Sequence, residues 1–493
     1  MSYLQTYYKR VAEPKRTSHG IAFAASLDSV QDAYPLLAEK IVQELNDQRS
    51  YLKLIASENY SSLAVQQAMG NLLTDKYAEG YPHHRFYAGC ENVDTIEEAA
   101  VEELKKLFGS DHAYVQPHSG IDANLVAFWT LLIHGVQNGE VKAKGFKSID
   151  EMSPEQYEEM RLLLCQQKVM GLSLNSGGHL THGYRHNISS KMMRSIPYEV
   201  NRETGLIDYN ELKQQAIREK PLILLAGYSS YPRLIDFSIM REIADAAGAY
   251  LMVDMAHFAG LVAGKVMTGN YNPIPYADIV TSTTHKTLRG PRGGFVLCKE
   301  ALRESVDKGC PLVLGGPLPH VIAAKAIAFK EARTPQFAAY ADQVVKNAKT
   351  LAESLIARGA TITTGGTDNH IVVIDVHKSF GLTGRQAETL LREAKMTVNR
   401  NSIPFDVNGP WYASGVRMGT AALTTIGMKE PEMREVANIL YDFLKEGKPK
   451  TDAKTGGPSR AKATVSPGSA DRASARVSAL LQQFPLYPEL VVE

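Results

Sequence analysis

Short apolar runs bounded by Gly, Pro, Ser or Asp recur at residues 113–115, 169–174, 222–226, 250–253, 279–283 and 295–298, with helical patterns between them. Runs of this length fit buried strands, and their alternation with helices predicts a largely parallel sheet covered on both faces. Ahead of them, residues 34–55 carry apolar positions at helical spacing (Leu36, Leu37, Ile41, Val42, Leu45) behind a polar, poorly patterned leader. Asp94 reads as the N-cap of a helix over 95–108, and Gly109 as its stop. After Gly315, Gly316 and Pro317 the pattern becomes one long helical stretch, about 319–358, followed by a second α/β unit whose clearest strand is 370–376. The fold class predicted is α/β, a large parallel-sheet domain plus a smaller C-terminal α/β domain.

The same patterning suggests boundaries: an N-terminal arm and helix at 1–55, a large domain at 56–320, a connecting helix and small domain at 321–445, and a tail at 446–493. Residues 136–168 are charged and helical in flavour, with a cap-like start at Ser153, and read as a surface insertion. Residues 446–474, rich in Gly, Pro, Ser, Lys and Ala, read as a flexible linker. The amphipathic segment 477–486 is expected to dock back on the body.

Composition adds little to this, but it excludes some classes. With 493 residues, 44% hydrophobic and 22% charged, the chain is of ordinary globular type and long enough for two or more domains. Its 54 basic and 53 acidic side chains leave no overall field to attract nucleic acid, so an anion must be held by locally placed groups. No apolar run of membrane length and no signal-peptide pattern is visible, so the expectation is a cytoplasmic protein without a membrane partner. Cys90, Cys165, Cys298 and Cys310 are too scattered for a disulfide framework or zinc knuckle.

Candidate chemistry concentrates in three segments. In ADIVTSTTHKTLRGPRGGFVLC, at 277–298, a strand ends in a Ser/Thr run, presents His285, Lys286 and Thr287, and turns through glycines into another strand. A lysine forms a Schiff base only as the free amine, which requires burial or nearby positive charge; Arg289, Arg292 and His285 are candidates to supply that charge. A solvated loop lysine is the alternative. In YLMVDMAHFAG, at 250–260, a strand ends in Asp254 with His257 three residues on. The carboxyl ends of parallel strands face the ligand crevice, and a carboxylate there suits a protonated pyridine nitrogen such as that of pyridoxal phosphate. A helix N-cap is the plainer reading of Asp254. The third segment, GGHLTHG at 177–183 with His186 nearby, allows either a metal set of His179, His182 and His186 or an imidazole stacked on a flat ring. Neither nucleotide-type glycine loop, G-x-x-x-x-G-K-[ST] or G-x-G-x-x-G, occurs.

These segments, together with LIASENY (54–60), KYAEGYP (76–82), VQPHSG (115–120), GGPL (315–318) and SGVRMGT (414–420), resemble the serine hydroxymethyltransferase family, in order, over about residues 50–445. The resemblance implies the fold-type I pyridoxal-phosphate architecture, with a mostly parallel seven-stranded sheet. It also implies reversible transfer of the serine hydroxymethyl carbon to tetrahydrofolate as co-substrate, giving glycine. By resemblance Lys286 carries the cofactor, Asp254 partners the pyridinium, and His179 stacks on the ring. Ser119, Gly120 and His285 lie at the phosphate, His257 near the phenolic oxygen, and Ser229 beside the cofactor. Arg417, assisted by Ser57, holds the amino-acid carboxylate, and Asn401 contacts the folate pterin. Tyr77, Glu79, Tyr87, Gly315 and Gly316 reach into the site of a second copy, implying a homodimer, with Glu79 as the proton-handling carboxylate.

Departures from the family pattern are Ile121 and Asp122 after HSG, which remove a hydroxyl from the expected phosphate cradle, Phe86 before Tyr87, and the pair His83-His84. Rival readings are a folate-independent aldolase or another pyridoxal-phosphate enzyme of the same fold, and a non-catalytic scaffold or RNA-binding protein that keeps the fold.

Overall fold

The computed structural model describes residues 2–452 and 456–492; Met1, residues 453–455 and Glu493 lie outside the described residues. The central sheet has seven strands: β1 (His112–Tyr114), β2 (Lys168–Leu172), β3 (Arg194–Tyr198), β4 (Ile223–Gly227), β5 (Tyr250–Asp254), β6 (Ile279–Thr283) and β7 (Gly294–Cys298). Their order is β1-β7-β6-β5-β4-β2-β3. Only β7 runs against the rest. Every residue of β4, β6 and β7 is buried. Helices cover both faces of such a sheet, which is why these strands appear as continuous apolar runs rather than as alternation. The edge strand β3 escapes that pattern: of its five residues only Tyr198 is buried, and Pro197 donates nothing to a ladder.

A second, four-stranded antiparallel sheet contains β8 (Thr361–Ile362), β9 (Ile371–Asp375), β10 (Asn399–Asn401) and β11 (Gly415–Gly419), in the order β8-β9-β11-β10. Register places Asn399 opposite Arg417.

Several local expectations need correction. The polar leader is not featureless: it forms helices Tyr3–Arg10 and Ser18–Ala33, capped by Ser2 and Thr17. Asp94 is not an N-cap. Its helix runs Glu91–Phe108, and the Asp94 carboxylate accepts from Arg85 Nε at 2.8 Å, so the acid serves tertiary pairing. Gly109 does end that helix, at φ 74°. The long stretch 319–358 is two helices, Pro319–Ala332 and Pro335–Ala357, because Pro335 lacks the N–H needed to continue the first and suits the opening turn of the second. Within 136–168 the helix Pro154–Cys165 starts at a Ser153–Gln156 capping box and buries only Met160.

The stretch read as a flexible linker forms a hairpin, Lys448–Thr451 with Pro458–Thr464, and helix Ser469–Leu481 follows. It is held by polar contacts that composition does not reveal: Gln386 Nε2 donates to the Lys462 carbonyl at 3.0 Å and Thr383 Oγ1 to that of Arg460 at 2.8 Å. The chain end does dock. Val477, Leu480 and Leu481 are buried, and Arg49 Nε donates to the Leu486 carbonyl at 2.9 Å. Among the described residues no helix is long and apolar enough to cross a membrane.

Candidate active site

Parallel pairing brings the carboxyl ends of β4, β5 and β6 to one edge, with Gly227 opposite Asp254 and Asp254 opposite Thr281. Gly227 sits at φ 128°, and a Cβ there would lie 2.2 Å from the Asp254 carbonyl oxygen, so the close approach requires glycine. Above this edge opens a cavity of about 540 Å³ lined by Ser57, Ser119, Gly120, His179, Ser229, Asp254, His257, His285, Lys286 and Arg417, among others. Ten of the residues that the motifs single out therefore share one space.

Lys286 lies in the turn between β6 and β7, with its carbonyl held by Asn59 Nδ2 at 2.9 Å. Burial, reinforced by Arg417 and Arg292 and opposed by Asp254, lowers its amine to about 8. The expected donors of positive charge are thus only partly right. Arg289 lies over the Tyr340 ring at 4.8 Å, and burial, with Arg292 and Lys286 adding to it, lowers His285 to about 3, leaving it neutral.

Asp254 is buried, which acts against its ionisation, but a hydrogen bond from His182 outweighs this and, with Lys286 nearby, holds the carboxyl well below its usual range. Oδ2 accepts from Asn124 Nδ2 at 2.9 Å and from His182 Nε2 at 3.2 Å, while Oδ1 accepts from Ala256 N at 3.0 Å. His182 Nδ1 accepts from the His179 N–H at 3.3 Å, which puts the ring proton on Nε2, facing Asp254. Asp254 is consequently a fixed carboxylate with an Oδ1 lone pair to spare. Burial lowers His179 to about 4, so it presents a neutral ring to the cavity. His257 is pushed well below its usual value by burial and stacks on His370 at 5.6 Å.

The metal alternative changes membership. His186 is exposed, and Asp254 joins His179 and His182 in a cluster whose ligand atoms lie within 4.8 Å. With the His182 Nε2 proton directed at Asp254, and Nδ1 of His182 and of His179 accepting from the backbone N–H of His179 and of Thr181, this is a hydrogen-bond network rather than a set of converging lone pairs.

Arg417 comes from β11 of the second sheet and reaches the first: Nε donates to Asn399 Oδ1 at 3.0 Å and Nη1 to the Ser229 carbonyl at 2.6 Å. No acidic side chain pairs with it among the described residues, although burial lowers it to about 10. At the other end of the cavity Ser119 caps helix Gly120–Leu132, whose N-terminus favours an anion. His285, which lines the same cavity, has its Nδ1 buried without a hydrogen-bond partner among the described residues. The Ser119 hydroxyl donates to Asp122 Oδ2 at 3.0 Å, so the departure at position 122 puts a carboxylate on this cap.

The serine hydroxymethyltransferase family model matches residues 30–139 and 153–440. A serine hydroxymethyltransferase of Treponema pallidum is 56% identical over 99% of this chain and 85% of its own length. One of Chlamydia trachomatis is 52% identical over 100% and 99%, and one of Mycolicibacterium smegmatis 54% over 96% and 95%. The chain belongs to the serine hydroxymethyltransferase family. The activity that goes with this membership is that of a glycine hydroxymethyltransferase, a transferase of serine, glycine and one-carbon metabolism. The match leaves out residues 140–152, which lie inside the segment 136–168.

Five motif residues lie outside the cavity of their own chain. Tyr77 and Tyr87 are 58% and 48% exposed, with rings 5.0 Å apart, and a Cβ on Gly316 would meet the Tyr77 ring at 3.5 Å. Glu79 and Gly315 are likewise absent from the lining of the cavity that holds Lys286. Asn401 also stays away from the cavity, with Nδ2 donating to the Ser402 carbonyl at 2.6 Å; its neighbour Asn399 is the residue that meets Arg417. Sequence reading missed Asn124, His182 as the Asp254 donor, and Asn399. Asn124 carried the one usable signal, an amide among apolar positions in ANLVAFW.

Proposed function

We propose that the cavity binds pyridoxal 5'-phosphate, that L-serine, glycine and tetrahydrofolate are its substrates, and that two copies of the chain share their sites. The observation that carries this reading is the meeting of Lys286, Asp254 and Arg417 in one cavity, from two different sheets. An amine lowered to about 8 suits imine chemistry, the spare Oδ1 lone pair of Asp254 suits a ring N–H, and a guanidinium lacking an acidic partner suits a carboxylate. The helix N-terminus at Ser119 and the unpartnered His285 Nδ1 suit a phosphate. The donor set therefore fits the cofactor.

When bound, pyridoxal phosphate supplies an electron sink for charge developing at the amino-acid α-carbon. Lys286 provides the amine that attaches and releases. Asp254, oriented by Asn124 and His182, keeps a proton at the ring nitrogen. His179 offers its neutral face, and Arg417 with Ser57 orients the substrate carboxylate. Glu79, Tyr77 and Tyr87 act from a second copy; the exposure of the two tyrosines and the absence of all three from the lining of their own chain's cavity support this. Glu79 handles the proton of the substrate hydroxyl during transfer to tetrahydrofolate, and Asn401 approaches the pterin.

Borohydride reduction of the purified protein, followed by peptide mass spectrometry, tests the assignment. A pyridoxyl adduct on Lys286 is the expected result, and a colourless protein with no adduct or an adduct on a different lysine would refute it.

A further inference from the structure

Lys325 belongs to helix Pro319–Ala332, is 1% exposed, and takes no part in the chemistry above. Its Nζ donates to three main-chain carbonyls: Val115 at 2.6 Å, Pro117 at 2.9 Å and Gly294 at 2.9 Å. An ammonium has three donors, so the charged form is fully satisfied here. Its partners are carbonyls only. Burying a charge without a counter-ion is costly, and that cost needs a return elsewhere.

The three carbonyls belong to the two segments that wall the anion end of the cavity. Residues 115–118 lead from β1 into Ser119 and the helix N-terminus, and Gly294 opens β7 just after Arg292. The segments touch directly: Gly294 N donates to the Pro117 carbonyl at 2.9 Å, and a Cβ on Gly294 would lie 2.3 Å from the Ser119 carbonyl oxygen. The lysine stem fills the space under Gly293, where a Cβ would lie 2.6 Å from Lys325 Cε. Burial lowers the amine to about 7, against the pull of Glu97 and Asp122, so a phosphate arriving beyond Ser119 favours the ammonium form.

We propose that Lys325 is a positioning residue for the phosphate subsite: one buried ammonium gathers the Val115, Pro117 and Gly294 carbonyls, sets Ser119-Gly120 against the 285–294 turn, and backs the anion with positive charge. The inference rests on the cofactor reading given above. It adds a residue that contacts neither ring nor substrate.

The test compares pyridoxal phosphate with pyridoxal, which lacks the phosphate, in equilibrium titrations of the full chain freed of cofactor. Lys325→Met should weaken pyridoxal phosphate by about tenfold or more, since three charge-assisted hydrogen bonds are lost, and weaken pyridoxal by less than about twofold. Lys325→Gln, which keeps two donors without the charge, should fall between. Equal weakening of both ligands, or of neither, overturns the proposal, as does loss of the fold in both variants, which would make the lysine a structural post only. Wild-type protein that binds neither ligand overturns the cofactor reading itself, a separate and recognisable failure.

Discussion

Asn124 Nδ2 donates to Asp254 Oδ2 at 2.9 Å, from the helix Gly120–Leu132 that Ser119 caps. The same amide donates to Thr181 Oγ1 at 2.8 Å and accepts from Thr281 Oγ1 at 2.5 Å, so it is locked in the orientation that fixes the carboxylate. A hydrogen bond to a charged group is worth about 1.5–3 kcal/mol. Asn124→Leu is therefore expected to lower kcat about ten- to a hundredfold while Lys286 still forms its borohydride adduct. Steady-state kinetics and adduct mapping check both halves.

Arg417 is held as a fork, Nε to Asn399 and Nη1 to the Ser229 carbonyl. Lysine offers a single charged point and cannot keep both contacts while binding a carboxylate. Arg417→Lys should weaken serine binding by about tenfold or more, against about a hundredfold for Arg417→Ala. Spectral titration with serine and with glycine measures this.

The Lys286 amine, lowered to about 8 chiefly by burial, gives a pH dependence of definite sign. The free amine is the reactive form, so the rate at which cofactor-free protein reacts with pyridoxal should rise about tenfold per pH unit below that value and level off above it. The stability linkage runs in the same direction. Between about 8 and the ordinary value of 10.5 the unfolded chain binds the extra proton, so this group's contribution to stability rises with pH in that window and its burial penalty is fullest below it. Stopped-flow absorbance and denaturant titrations across that range test the two statements.

Shared sites predict complementation. Lys286→Ala and Glu79→Gln proteins, each inactive alone, should regain about a quarter of wild-type activity when unfolded together and refolded, because half of the dimers are mixed and each mixed dimer has one intact site. A mixture that stays inactive would place Glu79 and Lys286 in the same chain's site.

What the sequence disclosed follows physical lines. Strands β4 to β7 are buried on both faces, so their apolar runs stood out, whereas β3, with Pro197 and four residues that are not buried, left no trace. Asp254, Lys286 and His179 were visible because strand ends and glycine turns mark crevices. Asn124 and Asn399 were hidden because their roles lie in partners far along the chain, Asp254 and Arg417. Asp94 misled because an N-cap and a buried ion-pair partner use the same residue type. The composition of 446–474 misled because Thr383 and Gln386 bind the Arg460 and Lys462 carbonyls, and composition says nothing of backbone partners.

The most direct test of the central claim is glycine formation from serine, measured with and without tetrahydrofolate, in wild type and in Lys286→Ala. The account predicts turnover that depends on tetrahydrofolate in the wild type and is lost in the folded variant. Serine cleavage indifferent to folate, or full activity in Lys286→Ala, would contradict it.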